Sequence, residues 1–85
     1  MTAEADIERR GLMKLMLRMP ALRGKLQLLT AVNAELLDLC GAFDEASSTL
    51  ERLRKENLPT NFAAISEYET LCEEIEAEII EICIR

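Results

Sequence analysis

An all-α protein is expected from three features of this 85-residue chain. Leu, Ala, Glu, Arg and Ile dominate, with three Gly and two Pro, a composition that favours helix. Two long stretches repeat apolar residues at steps of three and four, the period of one helix face. Aromatics make up only 4%, which leaves little material for a β-sandwich. The length suits one domain, 1–85, with a small core. At this size hydrophobic gain and chain entropy nearly cancel, so self-association is an expected source of stability.

The first helix is expected at about 4–18. Thr2 can cap it, and Glu4, Asp6 and Glu8 suit the positive end of its dipole. Pro20 disfavours helical geometry at Met19 but fits a first helical position, so a second helix follows at about 20–31. Asn33 is a strong cap and Glu35 suits a first turn, which starts a third helix at about 34–56. Its stripe is Leu36, Leu39, Cys40, Phe43, Ala46, Leu50 and Leu53. Gly41 falls on the opposite face of the wheel, where it costs about 1 kcal/mol relative to Ala.

The segment "NLPTN", Asn57 to Asn61, breaks the chain with Pro59 and offers Thr60 and Asn61 as caps. A fourth helix at about 62–84 carries Ile65, Tyr68, Cys72, Ile75, Ile79 and Ile82, a heptad seam of almost three repeats. Two long helices joined by about five residues fold back as an antiparallel hairpin, with the N-terminal helices packed beside it.

The end of the chain carries more apolar surface than one partner helix can cover. Leu71 widens the seam on one side, and Ile80 and Ile84 extend it on the other. A broad apolar arc needs a second neighbour. We therefore expect a helical-bundle homodimer, with Leu71, Ile75, Ile79, Ile80 and Ile84 as interface residues.

The formal net charge of −6 is unevenly spread. Six bases and no acid lie between Arg9 and Lys25, whereas thirteen acids and four bases follow from Asn33 onward. Arg10, Lys14 and Arg18 form a basic row at spacing four. Glu74, Glu78 and Glu81 form one acidic row, and Glu69, Glu73 and Glu76 another. Rows of opposite sign suggest that the first helix docks on the fourth, in cis or across a dimer. Arg10, Lys14 and Arg18 are then recognition charges, which set orientation more than affinity.

Chemistry has few candidates. The chain contains no His, so the usual general base and the commonest metal ligand are missing. Cys40, Cys72 and Cys83 are odd in number and not closely spaced. They read as reduced, buried thiols of a cytoplasmic protein rather than a disulfide framework or a zinc site. Cys83 has only Arg85 nearby to activate it. No enzymatic activity, cofactor or metal is expected. Neither a signal peptide nor a membrane span is expected, because Lys14 and Arg18 interrupt the first apolar stretch. The expected role is a small adaptor or regulator acting through helix–helix contacts, with itself and possibly another protein as partner. The alternative is a nucleic-acid-binding regulator presenting the basic first helix. Nucleic acid is the weaker expectation, since the rest of the chain repels phosphate and the basic stretch lacks aromatics.

Overall fold

The computed structural model describes residues 3–85, with side chains from Ala5 onward. Thr2, the expected cap of the first helix, lies outside the described residues. Four α-helices form the chain: α1 (Ala3–Arg18), α2 (Arg23–Thr30), α3 (Ala34–Glu56) and α4 (Phe62–Ile84). Short 3₁₀ turns, Pro20–Leu22 and Pro59–Asn61, precede α2 and α4.

Local chemistry explains each boundary. At Met19 the backbone leaves the helical region, with φ −130° and ψ 69°, as a residue before proline tends to do. The second helix begins three residues later than the proline suggests, because Pro20–Leu22 makes a tighter turn first. Asn33 is extended, and its side-chain oxygen accepts the Leu36 N–H at 3.0 Å. This caps one of the helix's orphan donors. Asn57 ends α3 in the left-handed region at φ 52° and ψ 41°, a conformation that Asn tolerates better than most residues. Thr60 and Asn61 do not cap α4 as expected. Asn61 is already helical at φ −90° and ψ −5°, without a capping bond. Its N–H donates to the Leu58 carbonyl at 2.9 Å, so the 3₁₀ turn runs directly into the helix.

α3 and α4 pack antiparallel along their two apolar stripes. Six of the seven α3 stripe residues are buried, and Leu39 is half-buried. On α4, Cys72, Ile75, Ile79 and Ile82 are buried, while Ile65 and Tyr68 are half-buried nearer the turn. α1 lies beside the hairpin, mainly along α3, and contributes the fully buried Leu15. α2 adds the fully buried Leu26 and touches both α3 and α4. The result is elongated, 42 × 30 × 19 Å, with a radius of gyration of 13.5 Å. A compact domain of this length would have a radius of about 12 Å.

The seating of α1 depends on small residues. A Cβ built on Gly11 would overlap the Cys40 carbonyl oxygen and lie 2.6 Å from its carbon. Only glycine allows the two backbones to come so close. Gly41 corrects the sequence reading. Rather than facing solvent, it is buried, with the Glu8 and Ile7 side chains 3.3 and 3.7 Å from where its Cβ would stand. One apolar stripe on α3 implied one partner, but α3 has two. The second contact face is built from small and polar residues, which a hydrophobic wheel does not register.

Candidate functional site

The basic row of α1 is mostly engaged by α3. Arg10 Nε lies 3.4 Å from Asp44 Oδ2, and Lys14 Nζ lies 2.8 Å from Asp44 Oδ1. Lys14 also donates to the hydroxyls of Ser47 and Ser48, each at 3.0 Å. Asp44 is only 3% exposed. A buried carboxylate is tolerable when cations compensate its lost hydration. Its Oδ1 has the ammonium as a charge contact but no hydrogen bond of its own. Arg18 alone reaches α4. Its Nη2 donates to Glu76 Oε1 at 2.7 Å, and its guanidinium sits 5.7 Å above the centre of the Phe43 ring. Within the chain, then, α1 docks on α3 and meets the acidic row of α4 only at its last residue. The close approach at Gly11 and the cluster at Asp44 outweigh exposed charge rows, which attract weakly through water. Asp44 escaped the sequence reading because an acid between Phe43 and Glu45 looks like surface. The surrounding run Gly41, Ala42, Ala46, Ser47 and Ser48 was the available signal for close helix approach.

The five apolar residues expected at an interface separate into three environments. Ile75 and Ile79 are buried in the core of this chain. Leu71 is 41% exposed, Ile80 36% and Ile84 69%. At 100° per residue, Leu71 lies on one flank of the α4 core stripe, and Ile80 and Ile84 on the other. Ile80 shares its flank with Glu76, the partner of Arg18, so it faces the side on which α1 and α2 lie. Ala77, Ile80 and Ile84, at steps of three and four, form an exposed stripe.

Leu71 borders a groove of about 410 Å³ on the other side of the hairpin. Its walls are Ala42, Ala46 and Thr49 of α3 and Tyr68, Leu71 and Ile75 of α4, with Glu45 at the rim. On α4, Glu67, Glu74 and Glu78 stand four residues before, three after and seven after Leu71, hence on the same face. All three are exposed, as are Asp38 and Glu45 on α3. Arg52, Arg54, Lys55 and Arg85 instead pair with Glu56, Glu69, Glu51 and Glu81.

The thiols are poorly suited to chemistry. Burial pushes Cys40 up from its ordinary 9.0 to about 11, with Cys83 and Glu8 adding to the shift. Cys72 is also raised, chiefly by burial and then by Glu76. Burial raises Cys83 as well, against a smaller opposing effect of Lys25. A raised thiol holds little thiolate, the nucleophilic form. All three are free and buried. No group of three or more His, Cys, Asp or Glu among the described residues could hold a metal ion. Among these residues, no helix is long and apolar enough to cross a membrane. Compared with known protein families, curated proteins and solved structures, the chain matches none.

Proposed function

We propose that this chain is a small protein-interaction module, an adaptor or regulator that acts through helix–helix contacts and catalyses no reaction. The observation that carries this reading is the apolar surface left uncovered on α4, above all the Ala77–Ile80–Ile84 stripe. The surface area of the whole chain agrees. It is 5675 Å², about 600 Å² more than the roughly 5,100 Å² expected of a compact monomer of this mass.

Self-association through this stripe is the simplest use of it. Ile84 is 69% exposed, and burying it would contribute about 1–2 kcal/mol in each copy. A stable interface covers about 800 Å² per partner, so the contact would extend beyond the stripe onto neighbouring surface. Sedimentation equilibrium of the wild type and of Ile80→Lys/Ile84→Lys tests the proposal. The expected result is a wild-type dimer at micromolar concentration and a monomeric variant. Two monomers would remove the dimer, and a dimer indifferent to the lysines would place its contact elsewhere. The nucleic-acid alternative gains no support from the geometry, because Arg10 and Lys14 are directed at Asp44.

A further inference from the structure

We infer that the Leu71 groove is a docking site for a basic amphipathic helix of another protein, one with an apolar stripe flanked by Lys and Arg. This deepens the interaction-module reading and rests on it, but it uses the opposite flank of α4 from the proposed self-contact.

The two sides of the hairpin differ in charge. Toward α1, acids meet bases: Glu76 pairs with Arg18 and Glu69 with Arg54, while Glu73 between them has no ion pair among the described residues. Around the Leu71 groove the unpaired charges are acids, since Arg52, seven residues after Glu45 on α3, is paired with Glu56. Glu45 lines the α3 side, with Asp38 seven residues before it on the same helix face, and Glu67, Glu74 and Glu78 follow the α4 side. None of these five forms an ion pair among the described residues, whose pairs all involve other acids. Like charges in rows repel one another, so they are relieved by an incoming cationic surface. The floor gives such a partner apolar contact. Leu71 projects from α4, while Ala42, Ala46 and Thr49 keep the α3 wall low. A helix can therefore lie between the two acidic rows, as in helix-in-groove recognition. From Glu67 to Glu78 the row is about 16 Å long, or three turns of a partner helix.

A second copy of this chain is a poor occupant. Two-fold pairing of this face with itself sets acid rows against acid rows. The basic row of α1 points at its own α3, with Lys14 held by Asp44, Ser47 and Ser48.

The test uses the full chain and a fluorescent synthetic peptide of about 18 residues, five helical turns. Leucines at steps of three and four are flanked on both sides by lysines. A scrambled peptide of the same composition serves as control, with fluorescence anisotropy as the readout. The ordered peptide should bind at micromolar concentration and the scramble at least about tenfold more weakly. Leu71→Lys and Glu74→Lys/Glu78→Lys should each reduce affinity by about tenfold or more, with circular dichroism confirming an intact fold. Binding to Ile80→Lys/Ile84→Lys should be unchanged, so loss of the proposed dimer and loss of this site are separable. Absence of binding, equal binding of the scramble, or indifference to Leu71→Lys would overturn the inference. So would a homodimer that Leu71→Lys dissociates, since the groove would then belong to a second copy.

Discussion

Replacing Gly11 with alanine should destabilise the protein, although alanine is the better helix former. In an exposed helix interior this change gains about 1 kcal/mol. Here the new Cβ would overlap the Cys40 carbonyl oxygen and stand 2.6 Å from the carbonyl carbon and 3.3 Å from Cα. These are backbone atoms, which cannot rotate aside. Carbon atoms settle at about 3.5–4.0 Å, so α1 must withdraw by about 1 Å. Overpacking of this kind costs about 1–3 kcal/mol, and a gap of that size forfeits up to about half of the dispersion between facing atoms. Leu15, which is fully buried, would feel that loss. Taking the upper end of the strain and subtracting the helix preference leaves a net loss of about 2 kcal/mol. Urea unfolding followed by circular dichroism should show a midpoint about 2 M lower, for a slope near 1 kcal/mol/M. The other glycines are controls. Gly24 has nothing within 4 Å of its Cβ position, so Gly24→Ala should stabilise by up to about 1 kcal/mol. Gly41 meets the side-chain Cγ of Glu8 at 3.3 Å, which can shift, so Gly41→Ala should stay within about 0.5 kcal/mol of wild type. A Gly11→Ala protein as stable as Gly24→Ala would refute the seating of α1 on the Cys40 carbonyl.

Lys14→Met should cost about 2–3 kcal/mol, because Asp44 would stay buried with only Arg10, 3.4 Å away, to compensate it. Adding Asp44→Ala should recover part of the loss in a double-mutant cycle, and strictly additive effects would show the pair to be uncoupled. Cys40 gives a pH signature. Its thiol is raised in the folded state from 9.0 to about 11, so the unfolded chain loses this proton first. The resulting contribution is complete below pH 9 and disappears as pH rises through 11. Chemical unfolding at pH 8 and pH 10.5 should show wild type losing more stability than Cys40→Ala. Equal losses would contradict the shift.

The helices were legible because their signals are local. Asn33 caps α3 through one hydrogen bond, Pro20 and Pro59 interrupt the chain, and two stripes at helical period define a hairpin. The site was less legible because it depends on which helix covers which face. Arg10, Lys14 and Arg18 were visible as a row, but their partner was not. A wheel treats Asp44 as solvated, and only the close approach at Gly11 makes it interior. Ile75 and Ile79 were grouped with Ile80 and Ile84 because all extend one apolar arc. Packing against α3 places the first pair inside and leaves the second pair at the edge. The separation of Leu71 from Ile80 across the core stripe was already implicit in the 100° step.

The last α3 residue to which α1 donates a hydrogen bond is Ser48. Leu17 and Arg18 at the end of α1 still border Glu51, but the ion pairs of Glu51, Arg52, Arg54, Lys55 and Glu56 stay within the hairpin, and Leu58 and Phe62 are wet at the turn. A two-helix arm standing on a thicker base should breathe on its own, opening at a free energy below that of global unfolding. Amide protons near Leu53 and Ile65 should therefore exchange sooner than those near Leu36 and Ile79, and a protease should nick the turn at Leu58 before it reaches the base.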